Sequence, residues 1–205
     1  KALQINSVNE YASTLKNNFV LVDMSERKTI IKNQIERYIN DDQIDGGLLA
    51  EVTNLVEWPT VLKISFPDEF LTLPEEVLIQ CLKKHQKAFL LKDSSKITNA
   101  CLVVADSVTD TNKSAIIEGN QKVMLARLND VQFFWDEDIK LNGFSNWNSQ
   151  LENVIFQDEL GSMAEKVERV CHICHTICDE LKIDKKTRDI IDRAAHRCKS
   201  DLVSN

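Results

Sequence analysis

The stretch LLAEVTNLVEWPTVLKISFPDEFLTLPEEVLIQCLKKHQKAFLL, residues 48 to 91, alternates between helix-like and strand-like patterning. Its opening, LLAEVTNLVEW (48 to 58), starts a helix that Pro59 ends or redirects, because the residue before a proline is pushed out of the helical region. TVLKISF (60 to 66) is β-branched and apolar, as a strand requires. LPEEVLIQCLKK (73 to 84) returns to helix, with Pro74 suited to a first turn and Glu75 and Glu76 placed to favour the helix dipole. KAFLL (87 to 91) then reads as a second, buried strand.

Working outward, ERKTIIKNQIERYI (26 to 39) spaces Ile30, Ile31, Ile35 and Ile39 as one face of an amphipathic helix. Asp45-Gly46-Gly47 breaks the chain before residue 48. Downstream, NACLVVA (99 to 105) reads as a buried strand, separated from 87 to 91 by a turn at Asp93 to Lys96. From Asn112 to about Asp136 the pattern is helical through Ile116, Val123, Leu128, Val131 and Phe134, with Gly119 expected to kink or cap it. After LNGFSNW (141 to 147) no strand-like run is found. Two helices are predicted there, at about 157 to 181 and 185 to 203, the second capped by Asp184. The expected fold class is α+β: a mixed helix and strand domain over 1–140, followed by an all-helical region over 141–205.

Composition bounds the functional classes. The 205 residues are 43% hydrophobic and 28% charged, an ordinary globular balance able to bury a real core. Apolar runs such as FVLV and CLVV fall far short of a membrane span. No signal peptide opens the sequence, and six cysteines in such a chain indicate reduced thiols in a cytoplasmic setting. Position 1 is Lys rather than Met, which suits an excised fragment. A net charge of −7 argues against a strong stand-alone nucleic-acid binder, while leaving room for a local basic patch.

The densest cluster of reactive residue types is VERVCHICHTICDEL (167 to 181). It contains the C-x-x-C-H of c-type haem attachment, the opening of a zinc site, and a near match to the HIGH signature. Leu160, Met163, Val167, Val170, Cys174, Ile177, Cys178 and Leu181 form one apolar helical stripe. At about 100° per residue, Cys171, Cys174 and Cys178 lie within about 60° of one another on it. His172 points to the opposite side and His175 sits at the edge. A haem motif needs an exported protein, and a structural zinc needs a fourth ligand at finger spacing. The favoured reading is that cysteine serves here as a small core residue.

No phosphate loop, dinucleotide fingerprint, zincin or nucleophile-elbow motif occurs. No His is followed by Asp. DDQID (41 to 45) and WDEDIK (135 to 140) read as solvated turns rather than acid–base pairs.

Several stretches in order resemble one family, the β subunit of the bacterial heterotetrameric glycyl-tRNA synthetase. Residues 48 to 91 carry its E-V-T-x-L-V-E-W-P-x-V-L, F-x-x-x-F-L-x-L-P-x-E-V-L and H-Q-K-x-F runs. GNQKVMLARLNDVQFFWDED (119 to 138) is similar to G-N-x-K-V-x-x-A-R-L-x-D-A-x-F-F. VLVDMSERKTIIKNQI (20 to 35), FQDELGSMAEKVERV (156 to 170) and RAAHRCKSDLVSN (193 to 205) extend the resemblance over nearly the whole chain. It implies an internal fragment of a larger subunit, whose helical end opens a degenerate HD-like domain. There Asp201 remains, but the H-D dipeptide is missing.

The resemblance implies glycine–tRNA ligase activity for the heterotetramer, a cytoplasmic aminoacyl-tRNA synthetase of protein biosynthesis. Its α subunit carries the catalytic site and uses ATP and Mg. The β subunit supplies tRNA binding and subunit assembly, so this fragment alone is expected to be inactive, with no cofactor or metal of its own. The partners implied are the α subunit and tRNA-Gly, with neither DNA nor membrane. Candidate tRNA contacts are His85, Gln86, Lys87, Asn120, Lys122 and Arg127, since cations pair with phosphate and amides reach base edges or the 2′-hydroxyl. Each has a structural alternative: Lys87 as a strand-end charge, Asn120 as a helix cap, Arg127 in an ion pair with Asp130. Trp58 and Phe89, within apolar runs, are expected in the core rather than as stacking platforms. Two other readings remain, a pure scaffold for the α subunit and a degenerate HD-type metal hydrolase.

Overall fold

The computed structural model describes residues 2–140 and 144–204, without the side chains of residues 144–146. The chain divides into two compact units, Lys1–Gln132 and Phe133–Asn205, the division falling inside one long helix. The expected boundary after residue 140 abuts positions 141–143, which lie outside the described residues.

The first unit is built on a three-stranded antiparallel sheet, β1 (Pro59–Ser65), β2 (Phe89–Asp93) and β3 (Lys96–Asp106), in the order β1-β3-β2. β3 is central, pairing Pro59 with Asp106 at one end of β1 and Ser65 with Ala100 at the other. Central strands covered on both faces lose the polar alternation of half-exposed strands, and so CLVV is continuous in the sequence. β2 and β3 form a hairpin whose two-residue loop, Ser94-Ser95, has positive φ at both positions (47° and 78°). That backbone matches the right-handed strand twist, although serine replaces the usual Asn-Gly.

Helices α1 (Tyr11–Lys16), α2 (Met24–Ile35) and α3 (Gly46–Thr53) precede the sheet. α2 and α3 contribute Ile31, Ile35, Leu48, Leu49 and Val52 to a core that includes Val61, Phe89, Leu91, Ala100 and Leu102. Gln34 fastens α2 to the outer strand: its Oε1 accepts from the Val61 N–H at 2.9 Å. The Asp45-Gly-Gly break starts α3 instead of merely preceding it, because Asp45 Oδ1 accepts from the Leu48 N–H at 2.8 Å. α3 also ends at Thr53, earlier than the apolar spacing to residue 58 predicts.

Helix α4 (Glu75–Ile79) follows Pro74 and widens into a π turn over Gln80–His85. α5 (Lys113–Lys140) runs unbroken through Gly119, which therefore does not cap it. Its inner face packs on the sheet through Met124, whose Sδ accepts from the Cys101 thiol at 3.8 Å.

The second unit contains α6 (Phe144–Gln150), α7 (Met163–Glu180) and α8 (Lys185–Arg197). It is not all-helical. Residues 155 to 162 form a short antiparallel hairpin of β4 (Ile155–Gln157) and β5 (Gly161–Ser162), where a helix from 157 is expected. Gly161 has φ of +80°, a conformation that ends any helix begun at 157. Leu160 therefore lies in the hairpin turn, half exposed, off the stripe to which its spacing assigned it. Ser162 and Glu165 then close a reciprocal capping box at the start of α7. Asp184 caps α8 as its position predicts, accepting from the Thr187 N–H at 3.1 Å.

Candidate functional site

The HQK segment forms a sharp corner between α4 and β2. The π turn closes with the Gln86 N–H donating to the Cys81 carbonyl at 3.3 Å and the Ala88 N–H to the Leu82 carbonyl at 3.0 Å. Lys87 takes φ of 53°, uncommon for a residue with a Cβ, so that the chain reverses within two residues. Its ammonium is paired with Glu51 at 2.6 Å, which ties the corner to α3. His85 is exposed, and Gln86 and Lys87 are half-buried.

Beside this corner lies a cavity of about 330 Å³. Leu48, Ile79, Ala88, Phe89 and Leu90 give it an apolar lining, while Gln43, Asp45, Lys83 and Lys92 supply polar groups. Lys83 pairs with Asp45, and Lys92 with Glu75. The hydrogen bond from Lys83, backed by that from the Leu48 N–H, holds the Asp45 carboxyl below its usual range. Spacing gave no sign of this site, because its lining comes from residues 39 to 48 and 79 to 92, brought together by the sheet. The cations Lys83 and Lys92 in the same basic stretch were the available signal.

The other three candidates lie on α5. Asn120 is no cap: its Nδ2 donates to the Ile116 carbonyl one turn back, at 2.8 Å. Lys122 pairs with Glu118 at 2.7 Å on an open helix face. Arg127 is exposed, and among the described residues it makes no ion pair with Asp130. Its charge and that of Asp130 act in opposite senses on the Cys81 thiol, whose pKa burial raises. Arg127 thus approaches the π turn. The six candidates form two sets, a corner at 85–87 and a helix face at 120–127.

Phe89 is buried, as expected, and reaches the cavity. Trp58 is half-buried rather than core, stacked edge-on against Phe19 at 5.3 Å.

In the second unit the cysteine stripe is largely interior: Cys171 and Cys178 are buried and Cys174 half-buried. The stripe fails at its far end, where Ile177 and Leu181 are exposed. The Cys171 thiol lies 3.3 Å from His196 Nδ1, and His175 Nε2 lies 2.8 Å from Asp192 Oδ1, so this cluster joins α7 to α8. Burial, reinforced by the nearby Asp192 charge, pushes the Cys171 thiol up and disfavours the thiolate that metal ligation needs. No three His, Cys, Asp or Glu side chains among the described residues are placed to hold a metal ion. No described helix is long and apolar enough to cross a membrane.

A model of the family described as "Glycyl-tRNA synthetase beta subunit" matches residues 1–205. This chain belongs to that family. The glycine–tRNA ligase beta subunit of Bacillus subtilis (strain 168) is 39% identical over 99% of this chain and 30% of its own length. The subunit of the same name from Limosilactobacillus reuteri (strain DSM 20016) is 37% identical over 98% of this chain, and that from Dictyoglomus turgidum 36% over 98%. The chain spans about 30% of the length of these relatives.

Family membership directs attention to Arg27, within the early V-D-x-x-x-R-K segment. Its guanidinium donates to the Val22 carbonyl at 2.9 Å and the Thr53 carbonyl at 3.1 Å, and also to that of Leu21. An Arg held by three carbonyls is committed to architecture, joining the start of α2 to the end of α3.

Proposed function

We propose that this chain serves as part of a glycyl-tRNA synthetase β subunit, contributing tRNA binding and subunit assembly to a cytoplasmic heterotetramer. In this reading glycine activation with ATP and Mg belongs to the α subunit. The observation that carries it is the family match along all 205 residues. The corner at His85 to Lys87 and the helix face with Lys122 and Arg127 are the proposed RNA contacts. Lys87 and Lys122 are each held by a glutamate, but exposed ion pairs are worth only about 0–1 kcal/mol, so a phosphate can displace the carboxylate.

The test is binding of tRNA-Gly at two salt concentrations, with an unrelated tRNA as control. The reading expects salt-sensitive binding, with Lys122→Ala or Arg127→Ala weakening affinity and reducing the salt slope by about one. Absence of binding at low salt overturns it and favours a scaffold that holds the α subunit. That second reading has its own support in the net charge of −7 and in the carboxylates already paired with Lys87 and Lys122.

For α7 and α8 we propose the opening of an HD-type domain that has lost its metal ligands. Metal analysis of the purified protein tests this: near one divalent ion per chain would revive the hydrolase reading.

A further inference from the structure

The cavity beside β2 and the HQK corner are parts of one stretch of chain. Lys83 and residues 88 to 90 line the cavity, while His85, Gln86 and Lys87 form the turn between them. β2 is an outer strand of its sheet, so a row of its backbone N–H and C=O groups is left unused by the ladder. The volume, about 330 Å³, lies at the lower end of the range of about 300–1,000 Å³ for small-molecule sites. Its lining is mainly aliphatic and aromatic, with two ammonium groups, one carboxamide and the Asp45 carboxylate among it.

We infer that this cavity takes a single unstacked nucleotide of the bound RNA, its base inside and its phosphate at the lysines. The inference deepens the tRNA-binding reading and rests on it. Sequence-dependent RNA recognition draws on bases splayed out of single-stranded regions, set against apolar or aromatic side chains and hydrogen-bonded along their edges. Leu48, Ile79 and Phe89 provide the apolar contact. Gln43 Oε1 is occupied by the Asn40 N–H at 3.1 Å, which orients the amide and leaves its nitrogen to donate to a base edge. Lys92 gives up its exposed Glu75 partner for a phosphate, while Lys83, paired with the half-buried Asp45, adds its charge beside it. Asp45 and Glu75 remain as opposing charges, so the site favours one phosphate rather than a run of them.

The experiment uses the whole chain, tRNA-Gly carrying 4-thiouridine, and two variants. Leu90→Trp fills the cavity from a half-buried position, and Lys92→Gln removes a cation while leaving the lining intact. Circular dichroism checks that both fold. The inference expects a photocrosslink from an unpaired nucleotide to residues 39–48 or 79–92. It also expects about a tenfold weaker affinity in Leu90→Trp, the scale of losing one stacked base. Lys92→Gln should weaken binding less and lower the salt slope. Salt-sensitive tRNA binding that both variants leave unchanged, with crosslinks elsewhere, overturns the inference and leaves the broader reading standing. Loss of α-subunit capture with tRNA affinity intact assigns the cavity to a protein side chain and also overturns it. No tRNA binding by the unaltered chain overturns both together.

Discussion

At the scale of single residues, cysteine illustrates how type and environment separate. Six cysteines share one sequence, yet Cys101 is fully buried and its pKa is pushed up to about 12, whereas Cys198 is exposed. Burial acts on the charged thiolate, so it suppresses the reactive form as well as access to it. Under native conditions at pH 8, iodoacetamide should modify Cys198 first. Cys101 should react last, since burial removes both its thiolate and its access to reagent. Peptide mapping over time checks the order, and early labelling of Cys101 in the folded protein would contradict the packing described. Lys87 shows the same separation of type from place. Its charge is plain in the sequence, but its left-handed backbone and its pairing with Glu51 come from the corner it occupies.

At the scale of elements, two glycines have opposite meanings. Gly119 sits inside α5, and a Cβ there meets nothing within 4 Å. Gly119→Ala should therefore stabilise the protein by about 0.5–1 kcal/mol, the helix-interior penalty of glycine. Gly161 has φ of +80°, and a Cβ there would lie 1.8 Å from Glu165 Oε2. That carboxylate accepts from the Ser162 N–H at 2.6 Å in the capping box of α7. Gly161→Ala should cost about 1–3 kcal/mol, combining left-handed strain with a weakened cap. Urea unfolding midpoints read both, and a Gly161→Ala protein as stable as the unaltered chain would refute the role given to this turn.

At the scale of the whole molecule, each unit has its own core. In the first, Ile31, Ile35 and Leu102 are fully buried between helices and sheet. In the second, Leu151 sits with Met163, Val167, Cys171 and Ala195. Truncating Ile35 or Leu151 to Ala should cost about 2–5 kcal/mol each, transfer and cavity terms together. Loss below 1 kcal/mol in urea unfolding would mean that the site collapses or is less enclosed than it is here. The net charge of −7 also belongs to this scale. It repels RNA at long range, so any affinity must come from local clusters such as residues 83 to 92 and must fall with salt.

The sequence by itself determined the family and most elements of the first unit, though not α1. Period and proline placement located β1, α4, β2 and β3, because burial on one or two faces leaves a direct imprint on residue order. The Asp184 cap and the core use of Cys171 and Cys178 were legible for the same local reasons. The β4–β5 hairpin was not, since its apolar residues Ile155, Phe156 and Leu160 stay exposed and imitate the run-in to a helix. Only the tertiary structure tied Arg27 to the Thr53 carbonyl and assembled the cavity. Such features join segments dozens of residues apart, and residue spacing carries no record of a contact made across a sheet edge.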